Sequence, residues 1–207
     1  MNEDPEEPSD DAQSPGEYPP SWMAERLPIP KLFHSVEKDG PFTQCLQCKR
    51  PLIGSGQQYV IEKVFRGTEA IIEIAMCLDC RDESGDSMSS ESAEAMQTFF
   101  AARANFESRL FDLSQGSDED SVDRWVDRCL FTGQPRDALR EYQVVALCQD
   151  EQIVRDFFPI MISGAVMEEI SEVLSEQTKG WMDDFMDTHF GMPPEFCEPP
   201  GFRPVLI

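Results

Sequence analysis

Hydrophobic and polar positions keep a different rhythm in each stretch of this chain. The string QYVIEKVF, residues 58–65, alternates and is rich in β-branched and aromatic residues, and AIIEIAM, residues 70–76, behaves alike. Such runs suit a pleated, half-buried strand. The four residues between them, RGTE, can make a tight turn, so the two runs are expected to pair as a hairpin. A polar loop, DESGDSMSS, follows at residues 82–90. From about Ser90 the rhythm becomes helical, with Met96, Phe99, Phe106, Leu110 and Leu113 on one stripe, until QGSDEDS breaks it.

The same order returns in weaker form after residue 120. Cys129-Leu130-Phe131-Thr132 can be laid on CLQC, residues 45–48. EYQVVALCQDE can be laid on AIIEIAMCLDC, so that Cys148 falls on Cys77 and Glu151 on Cys80. Ile162, Val166, Ile170, Val173 and Leu174 then recur at helical spacing, and WMDDFMDTHF continues the helix after an interruption at Gly180. The expected fold class is α+β: a small knuckle-and-hairpin module plus a helical region, arranged as a degenerate tandem repeat of knuckle, hairpin and helix. The expected units are a disordered acidic, Pro-rich tail over 1–26, a four-cysteine module with its helix over 31–116, a metal-free repeat over 120–190, and an extended Pro-rich strap over 191–207.

Charge narrows the partners. The chain of 207 residues has a formal net charge of −23. Affinity for nucleic acid comes mostly from neutralising phosphates with Lys and Arg, so a general nucleic-acid binder is not expected. Anionic membrane surfaces should repel the chain, and basic protein partners should be favoured. No segment approaches the roughly 20 apolar residues that span a bilayer. The start, MNEDPEEPSDD, has neither the basic residues nor the apolar stretch of a signal peptide. The expected compartment is the cytoplasm, where thiols stay reduced. The seven cysteines therefore read as metal ligands or buried thiols before disulfides.

Four of them form a pattern. Cys45 and Cys48 stand two residues apart, as do Cys77 and Cys80, and 28 residues (49–76) holding the expected hairpin separate the pairs. Two intervening residues let one tight turn aim both thiolates at one point, and two such turns supply the four ligands of a tetrahedral ion. The expectation is one structural zinc per chain held by Cys45, Cys48, Cys77 and Cys80, with iron as the competing metal. Cys129, Cys148 and Cys197 remain, with His189. A second site built from these four would need long-range convergence. The plainer expectation is a lost site in which Thr132 and Glu151 replace two ligands.

Residues 45–81 resemble a zinc ribbon or treble-clef module, a broad class rather than one family. The resemblance implies a structural tetrathiolate zinc and no particular activity. This chain departs from the pattern at Lys49 and Arg81, where glycine is common, and in a helix expected to begin only about ten residues after Cys80.

No HExxH, GxSxG, GxGxxG or GxxxxGK[ST] string occurs. Acidic clusters such as Glu168, Glu169 and Glu172 read as solvated helix faces. His34 has no visible partner. The leading expectation is thus a non-catalytic protein-interaction or regulatory module. A nucleic-acid reading would use the basic residues of 31–81, seven (Lys31, Lys38, Lys49, Arg50, Lys63, Arg66, Arg81) against six acidic (Glu37, Asp39, Glu62, Glu69, Glu73, Asp79). A third reading is a thiol redox or rubredoxin-like iron protein.

Overall fold

The computed structural model of the protein describes residues 26–106, 122–155 and 157–191. Residues 1–25 of the expected tail, the strap beyond Gly191, and Leu110, Leu113 and Cys197 lie outside the described residues, whereas Arg26, placed at the end of that tail, opens a strand. Six strands form one antiparallel sheet: β1 (Arg26–Pro28), β2 (Gln58–Arg66), β3 (Glu69–Cys77), β4 (Glu141–Gln149), β5 (Gln152–Val154) and β6 (Ile160–Ser163). Their order is β1-β5-β4-β2-β3, and β6 also pairs with β4. β5 meets β4 at Cys148–Gln149 and β6 meets it at Tyr142–Val145, so the two short strands share its far edge. The helices are α1 (Leu78–Asp86), α2 (Ser90–Arg103), α3 (Val122–Trp125), α4 (Gly164–Val173) and α5 (Glu176–Phe190). Sheet and helices together agree with the expected α+β class.

The hairpin β2–β3 forms where the alternating runs predict it, turning at Gly67, whose φ of +61° is easy for glycine. β2 lies between β3 and β4, and every residue from Tyr59 to Phe65 is buried. Both of its faces are covered, and its sequence is correspondingly apolar. Two charged residues are buried there too, and each has partners, without which burial would be costly. Lys63 Nζ donates to the His34 carbonyl at 2.6 Å and pairs with Glu73 at 2.8 Å. Glu73 also accepts the Val36 N–H at 3.1 Å, so the network pins residues 34–36 to the sheet. Glu62, pointing the other way, accepts from Gln143 at 3.2 Å.

Three expectations need correction. The stretch read as a polar loop is mostly helix: α1 begins immediately after Cys77, whose extended backbone caps it, with Asp79 in the positive first turn. Its residues lack an apolar rhythm because the helix buries little beyond Cys80 and Ser84. Gly180 does not interrupt a helix but lies inside α5. Ile162 belongs to β6 rather than to the helix after it.

The pairing laid out for the second half also differs. Cys148 lies on β4 opposite Tyr59 of β2 and Ile153 of β5, in the middle of the sheet. It is the next-to-last residue of β4, but strands flank it on both sides and no helix starts from it, unlike Cys77. Cys129 instead contacts Ser163, which pairs with Tyr142. Tyr142 and Cys148 are six residues apart on one strand, about 20 Å at the usual rise. The two sulfurs therefore do not meet. The short string ALCQDE resembles AMCLDC, but strand pairing overrides that local likeness.

α2 and α5 begin side by side. Ser89 caps α2 by accepting the Ser92 N–H, and Ser175 caps α5 by accepting the Thr178 N–H. Each helix start also borrows from the other. The Ser89 N–H donates to Thr178 Oγ1 at 3.1 Å, and the Ser175 N–H donates to Ser92 Oγ at 2.9 Å. The Oγ atoms of Ser89 and Ser175 lie 2.8 Å apart. Ser92 and Thr178 are fully buried, and this cluster of four hydroxyls satisfies its own donors and acceptors.

Candidate metal centre

The first knuckle is a tight backbone turn. The Cys45 N–H donates to the Arg50 carbonyl at 2.9 Å, and the Lys49 N–H donates to the Cys45 carbonyl at 3.1 Å. Closing it requires a left-handed residue, and Lys49 takes that conformation at φ +62°. The Leu46 N–H donates to the Ala75 carbonyl at 2.7 Å, which fastens the turn to the end of β3. Cys77 is the last residue of β3, and Cys80 lies in the first turn of α1. Knuckle, strand end and helix start thus meet at one place.

The four sulfurs of Cys45, Cys48, Cys77 and Cys80 all lie within 4.8 Å of one another. Among the described residues they are the one group of metal-ligating side chains so arranged. A tetrahedral ion with sulfur at about 2.3 Å requires neighbouring sulfurs about 3.8 Å apart. Cys48 Sγ and Cys77 Sγ are 3.8 Å apart. The residues fit a tetrathiolate metal ion, and this spacing suits zinc and iron alike. Cys45, Cys77 and Cys80 are buried and Cys48 is half-buried, so one ligand faces the surface.

Four thiolates around a divalent ion leave a net charge of −2, and the local electrostatics answer it. Burial raises the Cys48 thiol pKa, but the Arg50 backbone, contacts from Cys80 and Cys45, and the Arg50 side chain outweigh it, and the value falls to about 6. Arg50 spans both knuckles, since its guanidinium also pairs with Asp79 at 2.9 Å. Burial pushes Cys77 and Cys80 up instead, so these two thiols need the metal to hold them as thiolates.

The other residues read as candidates from sequence are placed elsewhere. Cys129, Cys148 and His189 belong to no metal-ligating group among the described residues. His189 packs at a tilt against Phe185, ring centroids 4.5 Å apart, near the end of α5, where burial and the charge of Lys49 depress its pKa. His34 Nε2 lies 3.1 Å from the Ile29 carbonyl. Among the module's seven basic residues, Arg50 forms an ion pair with Asp79, Lys63 with Glu73, and Arg66 with Glu141 at 2.8 Å. Sequence reasoning placed Thr132 in the turn with Cys129 but missed Ser163, which only the long-range pairing of β4 with β6 brings there. No helix among the described residues is long and apolar enough to cross a membrane.

Comparisons with known families, curated proteins and solved structures found no match.

Proposed function

We propose that this chain is a non-catalytic intracellular module that holds one structural zinc through Cys45, Cys48, Cys77 and Cys80 and engages a basic protein partner. The observation that carries the reading is the convergence of four sulfurs within 4.8 Å at the junction of a knuckle, β3 and α1. Four thiolates fill a tetrahedral ion and leave no position for a substrate, which favours structure over catalysis. The helix that starts at Cys77 supports the treble-clef form of the module over the ribbon. The net charge of −23 favours a basic partner in the cytoplasm. Elemental analysis of protein purified without added metal should find one zinc per chain; metal-free folded protein would remove the reading, and iron would move it to the rubredoxin-like alternative. A pull-down with and without residues 1–26 then tests whether the acidic tail recruits the partner.

The nucleic-acid reading is weakened by the engagement of Arg50, Lys63 and Arg66 in ion pairs. Absence of a gel shift at low salt would dismiss it.

The same proposal includes a degenerate duplication of knuckle, paired strands and two helices. It is supported by the central antiparallel pairing of β2 with β4 and by the reciprocal caps of α2 and α5.

A further inference from the structure

A second turn in the molecule repeats the backbone of the metal knuckle. The Cys129 N–H donates to the Gln134 carbonyl at 2.9 Å, and the Gly133 N–H donates to the Cys129 carbonyl at 2.9 Å. Gly133 supplies the left-handed residue at φ +67°, where Lys49 supplies it in the first turn. Gln44 bridges to Pro51 in one turn and Arg128 to Pro135 in the other. The anchor to the sheet also recurs: the Leu130 N–H donates to the Met161 carbonyl at 2.8 Å, as Leu46 does to Ala75. Two residues beyond those carbonyls stand Cys77 and Ser163. Each ends a strand, faces a tyrosine on the neighbouring strand (Tyr59 or Tyr142), and caps a helix with closely matching angles, φ −63° and ψ 153° against φ −72° and ψ 152°. Three residues further, Cys80 and Val166 occupy the same place in the first turn of α1 and α4, and both are buried.

We propose that Cys129, Thr132, Ser163 and Val166 are the counterpart of Cys45, Cys48, Cys77 and Cys80, a metal pocket in which hydrogen bonds and packing have replaced the ion. The inference rests on the duplication proposed above and assigns its ligand positions. Only Cys129 keeps its thiol. Its sulfur accepts the Ser163 N–H at 3.3 Å and lies 3.5 Å from Ser163 Oγ, so the serine at the position of Cys77 satisfies the sulfur that a metal would have bound. Val166, at the position of Cys80, is apolar and fully buried, and offers no ligand atom. Thr132 Oγ1 accepts the Gln134 N–H at 3.3 Å and so braces the turn from within. Contacts from Ser163 and Thr132 also lower the Cys129 pKa against the effect of its burial, as donors around a ligand thiolate would. Of the seven cysteines, four form the complete site and Cys129 marks the remnant; Cys148 belongs to neither, and Cys197 lies outside the described residues.

The pocket should become a metal site again when its lost ligands are returned. The test is the full-length triple variant Thr132→Cys, Ser163→Cys and Val166→Cys, purified in parallel with the wild type. We expect zinc to rise from one to two per chain, and Cys129→Ala added to the triple variant to bring it back toward one. Cobalt substitution should double the sulfur-to-cobalt charge-transfer absorbance. A folded triple variant that stays at one zinc, beside a wild type at one, overturns the inference while leaving the zinc reading intact. A wild type with no zinc sinks the zinc reading, and the triple variant then reports on the second pocket alone, through its dependence on Cys129. If the triple variant does not fold, the double variant Thr132→Cys and Ser163→Cys, which keeps Val166, decides: a second cobalt equivalent with thiolate absorbance supports the proposal, and no second equivalent overturns it.

Discussion

The turn over residues 45–50 and the turn over residues 129–134 share a backbone and differ in what fills them. In the first, three of the four thiols are buried within reach of one another, and Arg50 and Asp79 bridge the two sides. In the second, one thiol is held by a serine amide, and a buried valine stands three residues beyond that serine. A tight knuckle is therefore not itself a metal site. Its backbone needs only a left-handed residue and an anchor on the sheet, and side chains at four positions decide whether the interior is ionic or apolar.

The largest expected effect separates the two turns most sharply. Cys77→Ser should abolish metal binding and expose the backbone amides of residues 44–52 to exchange, because structural zinc contributes on the order of 10–16 kcal/mol in small peptides. Residues 128–135 should keep their protection. Cys129→Ala should leave the metal count unchanged. Hydrogen exchange followed by mass spectrometry reads both halves at once, and equal loss of protection in both turns would break the contrast.

Next in size is Lys63→Met. Lys63 is fully buried between Glu73 and the His34 carbonyl. Removing one partner of a buried pair costs about 3–5 kcal/mol, and the partial exposure of Glu73 places this variant near the lower value. Urea unfolding should show a lower midpoint with an unchanged slope.

The reciprocal caps predict a smaller effect with its own signature. Ser92→Ala and Thr178→Ala should each cost about 1 kcal/mol. Both side chains belong to one cluster, so the double variant should cost measurably less than the sum. Additivity in chemical denaturation would mean that the two helix starts do not support each other.

The smallest effect concerns the left-handed residue. Gly133→Lys should cost about 1–2 kcal/mol, because open space surrounds a Cβ there and only the backbone strain acts. Lys49→Gly should shift stability the other way by no more than about 1 kcal/mol, since glycine's unfolded-state entropy offsets part of the relief.

Spacing made the four cysteines legible, because two residues between thiols is a geometric constraint that needs no tertiary information. The hairpin was legible for the same reason: two β-rich runs around Gly67 can close locally. α1 was not, since its polar residues carry no rhythm and its start depends on Cys77 as a cap. β6 was read as helix because Ile162 happens to stand four residues before Val166, and short apolar runs fit either period. The role of Cys148 was misread because only long-range pairing with Tyr59 and Ile153 places it between two strands inside the sheet. β1 could not be foreseen either, as its partner β5 lies more than a hundred residues away in the chain.

The pairing of β2 with β4 has a consequence for how the chain is made. Arg66 meets Glu141, so the strand that covers the second edge of β2 begins to emerge 75 residues (141 minus 66) later. At synthesis rates of roughly 5–20 residues per second, one apolar edge of β2 waits about 4–15 s for its neighbour. During that interval nascent chains are open to pairing with each other along the bare edge. The excess of acidic residues is well suited to this window, because like-charged chains repel one another before the sheet closes.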